Sequence, residues 1–252
     1  MLIRRKMEED TGSDDGHYYI SISDLMTSLL FIFILILSYV MLSFVKKEDE
    51  LSNKIKNIEQ NIEHRGELLQ NLKDELLGQD INVEIDKENG NMRLKSDLLF
   101  RSGSADISDE GQRQIGEIAR LFMIKMIEEK YKMAIDTIFI EGHTDSVPIR
   151  ISNACRDLWT NKELSAQRAI NTYSQMQIAT DKQIDSLKNI KEKHLLSYSG
   201  YADNRQLCDE LEVEKNATVE ELYLCKSKNR RIEFYFTVNT PDIKKMKEKI
   251  SD

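Results

Sequence analysis

An uncharged stretch of 21 residues near the N-terminus, residues 25–45, constrains this chain more than any other feature. It is rich in Leu, Ile and Phe, and as an α-helix it would extend roughly 31 Å, about the thickness of the hydrocarbon layer of a membrane. No small-residue cleavage site follows it, because the sequence continues directly into Lys46 and Lys47. We therefore predict one uncleaved membrane helix over residues 18–45, preceded by a polar tail at residues 1–17.

Asp24 stands immediately before this stretch, and the aromatic pair Tyr18 and Tyr19 precedes it. Aromatic residues mark the headgroup layer, so Asp24 is expected on the membrane side of that layer. A carboxylate at that depth is costly and indicates a functional site. The alternative is an interfacial aspartate that caps the N-terminus of the helix. Three nearby hydroxyls would line an ion path or form ordinary helix–helix hydrogen bonds, namely Ser23, Thr27 and Ser28.

The rest of the chain is polar and acidic, with a formal net charge of −8. This balance, without a basic stripe, argues against a nucleic-acid-binding protein. The three cysteines form no C-x-x-C pair and have no histidine cluster beside them, so we expect no metal site. In an oxidising compartment, a Cys208–Cys225 disulfide could close a loop and leave Cys155 free. Three unpaired thiols are the alternative.

A heptad pattern follows the membrane stretch. Its positions recur at alternating steps of four and three residues, and Arg65 interrupts the apolar series once. This spacing predicts a coiled-coil linker over residues 46–80 that would join two chains as a homodimer. The alternative is a single amphipathic helix lying on the globular domain. The positions are Leu51, Ile55, Ile58, Ile62, Arg65, Leu69, Leu72 and Leu76.

From residue 81 the pattern becomes that of an α+β domain. Apolar and polar residues alternate over residues 81–85, and Asn89-Gly90 is a hairpin turn signal. The predicted order is β-β-α-β-α-β-β, with helices on one face of a mixed sheet. After the hairpin we predict a helix from Ser108 to about Lys130, strands near 136–141, 195–199 and 231–238, and a helix from about Lys162. Residues 241–252 are expected to form a solvated helical tail.

Three short motifs of this domain occur in a characteristic order. They are Glu141-Gly142-His143-Thr144-Asp145 at a strand end, Asn161-x-x-Leu164-Ser165-x-x-Arg168-Ala169 at a helix start, and Asn229-Arg230-Arg231-Ile232-Glu233 at the last strand. Together they resemble the OmpA-like peptidoglycan-binding domain over about residues 81–240. The chain has no nucleotide-binding loop, H-E-x-x-H or G-x-S-x-G motif, so we expect neither an enzyme nor a cofactor.

This resemblance implies a site for the peptidoglycan stem peptide, whose diaminopimelate carries carboxylates and an ammonium group. By the family pattern, Asp145 meets the ammonium and Arg168 the carboxylate, as the chemistry of these side chains allows. Alternatively, Asp145 and Arg168 pair only with each other, and the double arginine is structural. The resemblance also assigns pocket-shaping and supporting roles to Asn161, Leu164, Arg230 and Arg231.

Two segments depart from the compact members of that family. The loop between Asp145 and Asn161 is longer and carries Pro148, Cys155 and Trp159. An insertion at about residues 206–227 holds both Cys208 and Cys225. These departures leave the loop geometry and the ligand preference open.

A single N-terminal span joined to such a domain resembles the MotB family of stator subunits. The match lies in Asp24, the Leu-Met-Thr that follows it, and the run of Leu and Phe. The resemblance implies that Asp24 carries ions beside a multi-span A subunit. H⁺ is the favoured ion, and Na⁺ stays open because the nearby hydroxyls could solvate it. It also implies a bacterial inner-membrane protein with a cytoplasmic N-terminus and a periplasmic, peptidoglycan-binding domain. Protonation would remove the charge of Asp24 and change its packing on the A subunit.

The segment after the span narrows this resemblance. Flagellar members usually carry a short amphipathic plug there, whereas residues 46–80 form heptads with a highly charged outer face. That arrangement is more similar to the MotB-like B subunit of Zorya anti-phage systems. The sequence therefore predicts a peptidoglycan-anchored B subunit of an ion-driven rotary motor in anti-phage defence. A flagellar stator subunit and a passive wall tether are the alternatives.

Overall fold

The structure, a computed structural model of the chain, describes residues 14–101, 103–149 and 160–240. Three predicted features lie outside these ranges: the tail before residue 14, the loop segment with Cys155 and Trp159, and the tail at 241–252. The chain divides into two compact units, Met1–Ile55 and Lys56–Asp252.

The first unit is formed by helix α1, which spans Asp14–Leu77 and continues into the second unit. Within the described ranges, α1 is the one helix that is long and apolar enough to cross a membrane. The large apolar side chains that it carries between Leu25 and Val45 are exposed in the chain, as a membrane-facing surface requires. Because α1 begins at Asp14, Asp24 lies inside the helix, and the interpretation of Asp24 as an N-terminal cap is wrong.

The second unit is built on a mixed five-stranded sheet, which confirms the predicted α+β fold class. The strands lie in the order β1-β2-β5-β3-β4. All neighbours are antiparallel except β3 and β4, which are parallel. The strands are β1 (Glu84–Asp86), β2 (Asn91–Lys95), β3 (Ile135–His143), β4 (Leu196–Ala202) and β5 (Arg231–Val238).

Two long helices, α3 and α5, pack against each other, and α5 also packs on β3 and β4. The helix predicted from Ser108 to Lys130 ends at Lys125, and a short helix follows after a turn. The insertion near residue 210 contains two helices that the sequence analysis did not predict. The helices of this unit are α2 (Ser96–Leu99), α3 (Asp109–Lys125), α4 (Glu129–Ala134), α5 (Asn161–Ala179), α6 (Glu210–Asn216) and α7 (Val219–Asn229).

The core lies between the helices and one face of the sheet. Phe122 of α3 meets Phe234 and Phe236 of β5 edge to face, with ring centroids 5.4 and 5.6 Å apart. Aromatic pairs in this geometry contribute about 0.5–1.5 kcal/mol beyond their buried area. Ser108 caps α3 by accepting a hydrogen bond from the Gly111 amide, as its position before an acidic first turn predicts.

The second half of the predicted heptad seam belongs to this core. Leu69, Leu72 and Leu76 are fully buried in the same apolar cluster as the sheet residues. A side chain buried there is not available to a second chain, so the coiled-coil prediction is wrong for residues 65–77. The alternative, an amphipathic helix lying on the domain, is correct for that part. For Leu51 and Ile55, which are exposed, the coiled coil stays a prediction.

Arg65, which interrupts the heptad pattern, attaches α1 to the hairpin formed by β1 and β2. Its buried guanidinium donates to the Glu88 carbonyl oxygen at 2.7 Å and to the Phe236 carbonyl oxygen at 3.3 Å. The Glu88 carbonyl group lies at the turn between β1 and β2, and the Phe236 carbonyl group lies on β5, the strand next to β2. An arginine at this position therefore serves contacts within one chain.

A disulfide joins Cys208, before α6, to Cys225 in α7, with the two Cα atoms 5.4 Å apart. The bridge that the sequence allowed is thus present, and it closes the insertion into a compact loop. Crosslinks of this kind stabilise a fold mainly by restricting the unfolded chain.

Candidate functional site

The three sequence motifs meet at one groove of about 820 Å³ on the second unit. It lies where β3 and the start of α5 approach the segment between α7 and β5. Five of the six predicted wall-binding residues line this groove, namely Asp145, Asn161, Leu164, Arg168 and Arg230.

Two glycines allow α5 to lie against the sheet next to the groove. A Cβ atom on Gly142 would stand 2.0 Å from the Ser165 carbonyl oxygen, and one on Gly200 would stand 2.3 Å from the Ala166 nitrogen. No side chain fits at either position. This close approach places Arg168, one turn further along α5, beside the Asp145 loop that follows β3.

Arg230 is held by two carboxylates in the groove. Its Nε and Nη2 atoms donate to the two carboxylate oxygens of Asp97 at 2.9 and 2.7 Å. Its Nη1 atom donates to Asp145 Oδ2 at 2.7 Å. The hydrogen bonds to Asp97 raise the pKa of Arg230 most, and the bond to Asp145 acts in the same direction, whereas partial burial opposes the shift. Arg230 is therefore a fixed cation that orients Asp145, as the supporting role predicted for it requires.

Arg168 has a different environment. Only 5% of the residue is exposed; Nε donates to the Ser104 carbonyl oxygen at 3.0 Å, and the guanidinium lies 5.1 Å from the centroid of the Phe100 ring. Among the described residues it forms no ion pair. Burial lowers the pKa of Arg168 to about 10, opposed by the charges of Asp97 and Asp145. It remains a cation near neutral pH, with its terminal nitrogens available to an anion.

The idea that Asp145 and Arg168 pair only with each other is wrong, since Asp145 pairs with Arg230. The carboxylate of Asp145 also accepts from the Val147 amide at 3.2 Å. A carboxylate has about four acceptor positions, so Asp145 can still accept from a ligand ammonium.

Asn161 fixes the loop that carries Asp145. Its Nδ2 atom donates to the carbonyl oxygens of Asp145 and Val147, each at 3.1 Å. Leu164 is buried one turn later and forms an apolar part of the groove wall. Both residues stand where the motif predicted them.

Arg231 does not reach the groove, so its predicted place in this site is wrong. Its Nε atom donates to Glu233 Oε2 at 2.8 Å, and its Nη2 atom donates to the Arg205 carbonyl oxygen at 3.0 Å. Successive residues of a strand point to opposite faces. Because Ile232 and Phe234 of β5 belong to the core, Arg231 and Glu233 lie on the opposite face of the sheet, where Arg231 has a structural role in a buried ion-pair cluster.

In the first unit, Asp24 and its neighbouring hydroxyls lie on the exposed surface of α1. Thr27 Oγ1 and Ser28 Oγ both donate to the backbone carbonyl oxygen of Asp24, at 2.9 and 2.7 Å. This is the local back-bonding that Ser and Thr adopt within helices. Ser23 is exposed beside them, and the side-chain carboxylate of Asp24 projects into the surroundings of the helix.

The described residues contain no group of three or more His, Cys, Asp or Glu side chains arranged to hold a metal ion. The groove presents two arginines that form no ion pair among the described residues, Arg101 and Arg168, together with apolar walls and the Asp97 and Asp145 carboxylates that hold Arg230. Such a set matches a ligand that carries a carboxylate and an ammonium group close together.

No family model matches the sequence. The chain is 28% identical over 158 residues to the Zorya protein ZorB of Escherichia coli strain ATCC 8739, a match that covers 61% of this chain and 65% of that relative. The matched region thus spans less than two thirds of the curated relative.

Among solved structures, the fold is similar to a MotB-like protein from Desulfovibrio vulgaris, with a TM-score of 0.52 and 19% identity. The match covers 73% of this chain and 97% of that one. The chain is thus similar in sequence to ZorB and similar in fold to a MotB-like protein. The periplasmic domain of Helicobacter pylori MotB also matches, with a TM-score of 0.44 and 22% identity over 64% of this chain and 83% of that one.

The groove also contains side chains that the motifs did not indicate, among them Asp97, Phe100 and Tyr223. Asp97 lies on α2, Phe100 follows that helix, and Tyr223 lies on α7. Asp97 and Phe100 lie in the β2–α3 connection, which carries none of the three motifs. The partner of Tyr223 is Arg230, whose guanidinium lies 5.7 Å from the centroid of the tyrosine ring. These residues reach the groove through long-range packing, which a local motif does not encode.

Proposed function

We propose that this chain is the peptidoglycan-anchored B subunit of an ion-driven inner-membrane motor complex that acts in anti-phage defence. In this proposal the chain forms a homodimer, a multi-span A subunit surrounds its membrane helices, and Asp24 carries protons. The observation that carries the motor role is Asp24, a carboxylate inside an apolar helix of membrane-spanning length.

The groove supports the anchoring role. Arg168 offers a desolvated guanidinium without a carboxylate partner among the described residues, while Asp145 is oriented by Arg230 and Asn161. A diaminopimelate group would place its carboxylate on Arg168 and its ammonium on Asp145. Because the donors are already ordered, binding costs less conformational entropy.

The disulfide supports a periplasmic location for the second unit. Bridges of this kind persist in oxidising compartments and are rare in the cytosol. The Cys208–Cys225 bridge lies in the unit that also contains the groove. A single span with a periplasmic second unit agrees with a cytoplasmic N-terminus and a groove that faces the cell wall.

Replacing Arg168 tests wall binding. Arg168→Gln keeps most of the side-chain volume but removes the charge, so we expect binding of the detergent-purified chain to peptidoglycan sacculi to weaken. A hydrogen bond to a charged group is worth about 1.5–3 kcal/mol, which corresponds to roughly 10- to 150-fold in affinity. Arg120→Gln, on the exposed surface of α3, is the matched control. Equal binding by wild type and Arg168→Gln would remove the anchoring role.

Replacing Asp24 tests the motor role. Asp24→Asn preserves size but cannot release a proton, so we expect it to abolish protection in a phage-challenge assay. Expression, membrane insertion and sacculus binding should stay at wild-type levels. Ser38→Ala, which removes an exposed hydroxyl elsewhere on the same helix, is the control for disturbance of the helix. Full protection by Asp24→Asn would indicate a passive tether. In a separate motility assay, restored swimming of a stator-deficient strain by the wild-type chain would indicate a flagellar stator.

A further inference from the structure

The α6–α7 insertion, residues 206–229, reaches the groove through Tyr223 of α7. We propose that this insertion is a ligand-contacting wall in which Tyr223 packs on the uncharged part of the ligand, beside its ionised end. The inference rests on the proposed wall-binding function and adds a specificity residue to it.

Tyr223 is placed for such a contact. It lines the groove, and 61% of the residue is exposed. The Arg230 guanidinium lies 5.7 Å from the centroid of its ring, and Arg230 is itself fixed by Asp97 and Asp145. The ring therefore stands next to the charged centre of the groove, with much of its surface open. An aromatic side chain in this position offers a large contact area at a low cost in conformational entropy.

The insertion is fixed close to Tyr223. Cys225, two residues further along α7, is bonded to Cys208. At the end of α7 the buried Asn229 accepts from the Leu207 and Cys208 amides at 2.8 and 3.1 Å and donates to the Cys208 carbonyl oxygen at 2.8 Å. A covalent bond and three hydrogen bonds thus hold α7 to the segment before α6, so Tyr223 stands on a pre-organised support.

The same insertion holds the loop of Asp145. Glu210, at the start of α6, is only 2% exposed. It accepts from Asn229 Nδ2 at 2.7 Å, from Ser146 Oγ at 2.6 Å and from the Ser146 amide at 3.2 Å. Ser146 directly follows Asp145, so Glu210 links the tyrosine-bearing insertion to the carboxylate of the groove.

The chemistry of the two regions differs. Arg168 and Asp145 suit ionised groups, whereas the tyrosine ring suits a surface of C–H groups. In peptidoglycan that surface comes either from the alanine methyl groups of the stem peptide or from the face of a sugar ring. Both adjoin the charged diaminopimelate group or its peptide, and separate probes distinguish them.

The test uses the full chain purified in detergent, with free stem peptide and the disaccharide–peptide as two soluble probes. We expect Tyr223→Ala to weaken binding of at least one probe by roughly threefold to tenfold. Val219→Ala, at an 87% exposed position of the same helix, should bind as wild type. Loss with both probes identifies the peptide as the partner of Tyr223, and loss with the disaccharide–peptide alone identifies the sugar.

A parallel measurement separates this inference from the proposed function. If Arg168→Gln weakens binding and Tyr223→Ala does not, the wall role of the insertion is wrong while the groove keeps its function. If neither variant changes binding, both the wall-binding role of the groove and the ligand contact of Tyr223 are wrong. A Cys208→Ser, Cys225→Ser double variant should weaken binding in the same direction as Tyr223→Ala, and Tyr223→Phe should bind as wild type because the contact is made by the ring.

Discussion

Two arginines that line the same groove, Arg168 and Arg230, have different roles because their surroundings differ. Arg230 is saturated by Asp97 and Asp145, so it is part of the framework. Arg168 is desolvated, and its contacts among the described residues are a backbone acceptor and an aromatic ring, so its charge is left for a ligand. A buried cation without a carboxylate is costly, and this cost is expected at a functional site.

His143 lies on the face of the sheet opposite the core, and its burial leads to a prediction about how the stability of the fold depends on pH. It is 1% exposed and stacks on Tyr201, with Nε2 3.6 Å from Glu141 Oε2 and 3.7 Å from Glu233 Oε2. Burial lowers the pKa of His143, and Arg231 acts in the same direction, while the two glutamates oppose the shift. The folded chain therefore keeps this ring neutral at pH values where the unfolded chain protonates it.

The sign of the effect follows from proton binding. Below the ordinary histidine pKa of 6.5, the unfolded state binds more protons than the folded state, so stability falls as the pH falls. We expect the melting temperature of the detergent-purified chain to drop more between pH 7.5 and about 5.5 than that of His143→Gln. The melting temperatures of the wild-type chain and of His143→Gln are measured by circular dichroism at each pH. Parallel pH profiles for the two proteins would contradict this account.

At the scale of elements, the sequence predicted the sheet, the two main helices and the motif-bearing ends of strands well, because each has a clear local period or cap. The heptad pattern was ambiguous, since apolar residues at steps of three and four face either a partner helix or the chain's own domain. Leu69 and Leu72 face the domain. Only the position of the sheet decides this, and periodicity does not contain that information.

The two helices of the insertion show a signal that was present but not used. Thr218 and Glu221 form a capping box at the start of α7, and Asp209 caps α6. The pattern Thr-x-x-Glu is a recognised helix start. By contrast, the arrival of Tyr223 and Asp97 in the groove depends on how separate elements pack, so the site could be predicted only where its motifs lay.

At the scale of the whole molecule, the chain combines two units with different physical demands. The surface of the first unit consists largely of exposed Leu, Ile and Phe side chains, which suit contact with the hydrocarbon of a membrane. The second is an α+β domain whose own core absorbs the end of α1. What is left for joining two chains is therefore the exposed part of the heptad series that precedes the domain.

This division leads to a prediction about the homodimer. Leu51 and Ile55 are exposed and occupy seam positions, so in a parallel dimer each would face its copy. In a Cys155→Ser background, Ile55→Cys should give a disulfide-linked dimer on mild oxidation of membranes. Asn53→Cys, an exposed residue on the far side of the helix, should crosslink several times less. Equal or absent crosslinking at the two positions would show that the chains do not meet along this seam.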